Sequence, residues 1–128
     1  MHNLTERFAE ALHRIDSDRD PGPMVELTAD DAELMKLDGN HVATGKDGAT
    51  TFWDDYRNVF GDLETTFTHT VVGEGIAALE WTSTGTLRSG RPFEYNGVTV
   101  IQGDDEKVSG VRTSYASAAF MQETGGTA

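Results

Sequence analysis

A histidine that could move a proton at neutral pH sits within a strand-like run, Phe67-Thr68-His69-Thr70-Val71. If Phe67 and Val71 face a core, alternation carries His69 inward with them. A buried imidazole beside a carboxylate serves as a general base. One whose nitrogens are merely satisfied by neighbours does no chemistry. Lys36 would act in acid/base or Schiff-base chemistry if burial lowered its pKa. A lysine whose stem lies on apolar surface and whose ammonium reaches water would not. Tyr56, Tyr95 and Tyr115 each bring either a hydroxyl donor or an aromatic wall. Glu80 adjoins Trp81, and only one of two neighbouring strand residues can face a core. The bulkier Trp81 takes the inside, which sends Glu80 to the outer face. Asp38, Asn40 and His41 cluster in a loop, where Asp38-Gly39 is turn chemistry.

Other chemistries lack their parts. The histidines (His2, His13, His41, His69) have no ligand spacing and the chain has no cysteine, so no metal site is expected. No glycine-rich loop opens a helix in the form that cradles phosphate, and no cofactor is expected. The formal net charge is −12, with only three lysines (Lys36, Lys46, Lys107). So acidic a surface repels phosphate backbones and excludes nucleic acid as a partner. No apolar run approaches the ~20 residues that span a bilayer, and Met1-His2-Asn3-Leu4 begins no apolar leader. A cytoplasmic, membrane-free protein is the expectation.

The elements that must position these residues follow from periodicity. Leu4, Phe8, Ala11, Leu12 and Ile15 form one helical stripe behind an Asn3 cap with Glu6 three residues on. Asp16 to Pro23 reads as a polar break, and Pro23 to Leu27 as a short second helix. Thr28 to Asp31 reads as a turn and Ala32 to Leu37 as a short strand. A third helix begins at Gly45 to Gly48 and runs to about Phe60, with Gly61 as its stop. Its aromatics Phe52, Trp53, Tyr56 and Phe60 share a face. The period then becomes two. Leu63–Val72, Ile76–Leu87, Pro92–Gly103 and Lys107–Ser117 read as four strands joined by hairpin turns, hence antiparallel. Three helices on the concave face of a curved antiparallel sheet make a cone-shaped α+β domain with a hollow for an apolar small molecule. One domain spans residues 1–128, with a core over about 4–121 and a polar tail over 122–128.

These landmarks resemble the nuclear transport factor 2-like (cystatin-like) superfamily, and within it the SnoaL-like proteins. The carriers are Phe8, Leu12, Ala29-Asp30-Asp31-Ala32, Gly45, Glu80-Trp81, Gly85, Gly90, Gly97 to Ile101, Lys107-Val108 and Arg112 to Tyr115. The resemblance implies a cone pocket lined by Phe8, Trp53, Tyr56, Trp81, Val98 and Tyr115, with Lys36 at its lip. It implies a polyketide-, steroid- or terpenoid-like ligand. The reaction class is acid/base isomerisation, cyclisation or hydration carried by His69, Lys36 or Tyr115, or the domain is a non-catalytic binding or dimerisation module. The isomerase positions fall on Phe8, Lys36 and Val98, none of which supplies the isomerase group. Ser117 stands where cyclases carry a tail aspartate, and its hydroxyl would orient a ligand rather than act as a base. The epoxide hydrolases of this fold need an arginine between two aspartates in the pocket; Arg112 is a candidate for that arginine, but no partner aspartates occur at fitting strand positions. A homodimer through the outer sheet face, around Glu80, Thr82 and Arg112, is also implied.

Overall fold

A computed structural model describes residues 1–36 and 42–115. Leu37, the Asp38 to His41 loop, Ser117 and the 122–128 tail lie outside the described residues.

Helix α1 (His2–Asp18) buries the whole predicted stripe, from Leu4 to Ile15. It starts earlier than the Asn3 cap predicts. The Met1 carbonyl accepts both the Thr5 N–H (2.9 Å) and the Thr5 hydroxyl (2.7 Å), which draws Asn3 into the first turn. It also runs on through the expected break. Ser17 Oγ donates to the His13 carbonyl (2.8 Å), and Asp16 accepts a hydrogen bond from Tyr56, forty residues on. Arg19 then ends the helix in a left-handed conformation (φ 56°). Helix α2 (Gly22–Leu27) follows.

Strand β1 (Thr28–Lys36) begins where a turn was expected. Thr28 already pairs with Val108, and a register shift before Glu33 absorbs the acidic Asp30-Asp31 stretch. The unforeseen β2 (Val42–Thr44) pairs with Glu33 to Met35. Helix α3 (Gly45–Asn58) stops before Phe60, and Gly61 lies within the strand that follows instead of ending the helix. The long strands are β3 (Phe60–Val72), β4 (Ile76–Leu87), β5 (Pro92–Gly103) and β6 (Val108–Tyr115).

The six strands form one sheet in the order β2-β1-β6-β5-β4-β3. Every neighbouring pair is antiparallel except β1 with β6, which is parallel and corrects the wholly antiparallel expectation. No hairpin joins that pair, so no turn forces it antiparallel. The helices pack on the concave side. One buried cluster joins Leu4, Phe8, Ile15, Met24 and Trp53 to the sheet residues Leu34, Leu79 and Ile101. A second gathers Phe60, Leu63, Trp81 and Tyr95. Among the described residues no helix is long and apolar enough to cross a membrane.

Candidate functional site

The two clusters do not fill the space where they meet. They leave a cavity of about 120 Å³ walled by Phe8, Leu12, Trp53 and Tyr56 on the helix side and by Phe60, Trp81 and Tyr95 on the sheet side. The helical wall follows from spacing. Phe8 and Leu12 lie four apart on α1, and Trp53 and Tyr56 three apart on α3, so each pair shares a face. The rings meet edge to face: Phe8–Trp53 at 6.1 Å, Trp53–Tyr56 at 5.6 Å and Trp81–Tyr95 at 5.2 Å between centroids. That geometry suits aromatic quadrupoles and fixes the walls.

Hydroxyls line the sheet floor, and they bond to one another. Thr65 and Ser83, facing each other across β3 and β4, lie 2.8 Å apart. Trp81 Nε1–H donates to Thr99 Oγ1 (2.9 Å), which sits 3.0 Å from the Thr113 hydroxyl. Lys36 and Tyr115 border the cavity where β1 and β6 end, with the Lys36 ammonium 5.9 Å from the Tyr115 ring centroid. That is a cation–π distance. Val59, 44% exposed, completes this rim.

Several expected site residues therefore converge: Phe8, Trp53, Tyr56, Trp81, Lys36 and Tyr115 all line one cavity. Two do not. His69 lies on the outer face with its side chain 78% exposed, its Nδ1 2.9 Å from Glu80 Oε1. The cause is a bulge. The register passes from Phe67–Trp81 directly to His69–Glu80, so Thr68 is extra and the alternation flips. The inward expectation for His69 is corrected, whereas Glu80 faces outward as expected. Val98 is also corrected. It pairs with Glu80 and is 37% exposed on the outer face, while its neighbour Thr99 points into the cavity. Ser117 falls outside the described residues.

Sequence reading missed Asp16 and Arg57. Asp16 is 3% exposed and accepts a 2.8 Å hydrogen bond from the Tyr56 hydroxyl. Its other oxygen, Oδ2, is buried without a partner among the described residues. The available signal was spacing: Asp16 stands four residues after Leu12 and eight after Phe8, a carboxylate on an apolar helix face. Arg57, four after Trp53, shows the same signature on α3. Its buried guanidinium donates to the carbonyls of Asp16, Phe60 and Gly61 at 3.1, 3.0 and 2.8 Å.

Burial pushes the Asp16 carboxyl above its ordinary value, opposed by the Thr65 and Tyr56 hydroxyls and by His13 and Arg57. Burial likewise holds the Tyr56 and Tyr95 phenols well above theirs, so both stay neutral. A carboxyl that binds its proton more tightly when folded loses stability as pH climbs from the unfolded value near 3.8 through the raised folded value. The stability of the wild type relative to Asp16→Asn should therefore fall over that interval and then level off. Urea midpoints of both proteins, measured from pH 4 to 7, check this. A relative stability that rises with pH would contradict it.

A cone of helices on a curved sheet, enclosing an aromatic cavity with a polar rim, defines a small-molecule pocket fold. The chain belongs to the SnoaL-like domain family, whose model matches residues 5–111. No curated protein matches the sequence. Solved structures share the fold at low identity. An NTF2-like protein from Anabaena variabilis is 13% identical with a TM-score of 0.82, over 91% of this chain and 89% of that one. A protein with a ketosteroid isomerase-like fold from Catenulispora acidiphila, in complex with trimethylamine, is 15% identical with a TM-score of 0.80, over 95% and 92%. TerC, co-crystallised with polyporic acid, is 16% identical with a TM-score of 0.80, over 94% and 96%.

Proposed function

We propose that the protein binds one ring of an apolar small molecule in the cone cavity, with the remainder of the molecule directed to the Lys36 and Tyr115 rim. The cavity itself carries this reading: about 120 Å³, walled by aromatic rings and floored by hydroxyls already paired. Dry apolar cavities of about 150 Å³ take up benzene. The enclosed space therefore suits a single six-membered ring. A polyketide-, steroid- or terpenoid-like ligand would seat one ring and leave the others at the rim. Two relatives of the same fold carry small molecules, trimethylamine and polyporic acid, which is consistent with this use of the cone.

The chain has two tryptophans, Trp53 and Trp81, and both line the cavity. Intrinsic fluorescence thus reports directly on occupancy. Titration with toluene should change it saturably. A linear or absent response would sink the reading.

Acid/base chemistry is a second reading, favoured by the buried Asp16 bonded to Tyr56 at the cavity wall. Lys36 and Tyr115 are the proton carriers at the rim in that reading, and His69, on the outer face, is not placed to join them. The alternative is a non-catalytic binding module, in which the same pocket only holds its ligand.

We also propose a homodimer through the outer sheet face. Val71, Ile76 and Val98 are 69%, 39% and 37% exposed, and Val98 lies in register beside Glu80. Burying such apolar area is the driving force for pairing. Light scattering at micromolar concentration should give twice the chain mass, and Val98→Glu should return it to the monomer. A wild-type monomer would defeat this.

A further inference from the structure

We infer that Tyr56, with its hydrogen committed to Asp16, selects a ligand whose ring carries a hydroxyl, as a phenol or an enol does. This deepens the ring-binding function proposed above and rests on it.

A phenol has one O–H to give and lone pairs to receive. Tyr56 gives its hydrogen to Asp16 Oδ1 at 2.8 Å, away from the ligand. What Tyr56 keeps for the cavity it lines is acceptor capacity. Asp16 is fixed in turn. It is 3% exposed at the end of α1, and Arg57 Nε holds its own carbonyl at 3.1 Å. The Thr65 hydroxyl, on the floor of the same cavity, stands beside both members of the pair.

Of the other polar groups of the wall, the floor hydroxyls bond to one another, and the Trp53 indole N–H is buried without a partner among the described residues. Thr65 pairs with Ser83, and Thr99 with both Trp81 and Thr113. A ring bearing only an acceptor, such as a carbonyl, can pair with the Trp53 N–H but finds no hydrogen at Tyr56. Turned to Tyr56, it sets two acceptors against each other away from water, which costs binding free energy. A ring bearing a hydroxyl donates to Tyr56 and completes a chain from ligand to Tyr56 to Asp16. Sites built to pair a hydroxyl reject analogues that lack it, because their own polar group is then left unpaired.

Phenol, toluene and benzaldehyde test this, since each is a single ring of a size the cavity suits. Affinities are read from tryptophan fluorescence for the wild type and for Tyr56→Phe. The wild type should bind phenol at least about fivefold more tightly than toluene or benzaldehyde, the factor a net hydrogen bond supplies. In Tyr56→Phe the phenol preference should vanish while toluene still binds. Equal wild-type affinity for the three rings overturns the inference and leaves the ring-binding function standing. So does a phenol preference that survives in Tyr56→Phe, which would assign it to the floor hydroxyls. Saturable binding of none of the three overturns both. The wild-type comparison needs no variant, so it stands even where Tyr56→Phe fails to fold.

Discussion

Gly85→Ala is expected to lower the stability of the fold by roughly 2–6 kcal/mol, combining about 1–3 for backbone strain with about 1–3 for overpacking. Gly85 has φ +151°, where side chains are rarely tolerated. A Cβ built there would lie 2.1 Å from the Asp62 carbonyl oxygen and 2.7 Å from its carbon. Both obstacles are backbone, so no rotamer change relieves them. The crowding has a structural purpose. Between Phe60 and Leu63 the β3 register slips against β4, and this bulge lays the Asp62 carbonyl over Gly85. The bend brings Phe60 to the cavity wall, stacked 4.9 Å from Phe93. Gly90→Ala is the control. Its φ is also positive, +90°, but nothing lies within 4 Å of the added Cβ. It should show the strain cost alone. Urea unfolding of the two variants separates the effects. A Gly85→Ala protein no less stable than Gly90→Ala would refute the role given to the close approach. A folded Gly85→Ala that binds toluene as the wild type does would refute the link to the cavity.

The same bulges mark where sequence reading succeeds and where it fails. Period and spacing located α1, α3 and the four long strands, because a one-sided core imposes its repeat on the sequence. Along β4 strict alternation holds, so Trp81 goes inward and Glu80 outward as read. Along β3 it fails at Thr68. A bulge is one extra residue with no compositional mark, and it reverses every side chain beyond it, His69 included. Val98 was misplaced by a single residue, which in a strand means the opposite face. The short β2 and the parallel β1–β6 pairing depend on contacts between segments distant in sequence, which no local pattern encodes.

Asp16 eluded the reading for a different reason. A run of Asp16-Ser17-Asp18-Arg19-Asp20 reads as solvated because burying a carboxylate is costly unless it is partnered. The partner, Tyr56, lies forty residues away on another helix. The aromatic wall was legible because apolar stripes reveal burial. The polar part of the site was not, because only the tertiary structure joins its two halves.

That junction depends on Arg57, and Arg57→Ala is expected to cost about 2–5 kcal/mol, from buried carbonyls left unpaired at about 1–3 kcal/mol each. The Arg57 side chain is 6% exposed and its fork reaches the end of α1 at Asp16 and the start of β3 at Phe60 and Gly61. Arg19 Nη2 also reaches the Phe60 and Gly61 carbonyls, at 3.4 and 3.2 Å, which limits the loss there. The Asp16 carbonyl gains no such second donor from the chain that follows, because the N–H groups of Arg19 and Asp20 turn back to the Ile15 and Arg14 carbonyls. Burial and the nearby Arg19 charge lower the Arg57 pKa, opposed by attraction to Asp16 and others, so charge alone does not explain its position. The planar fork does. One ammonium cannot reproduce three donations directed along separate lines. Arg57→Lys should therefore lose nearly as much stability as Arg57→Met. A lysine variant as stable as the wild type would show that attraction to Asp16, and not the fork, holds the junction. The functional readout moves with it. With the end of α1 released, Asp16 no longer holds the Tyr56 hydrogen, and a folded Arg57→Lys protein should bind toluene normally while losing its preference for phenol.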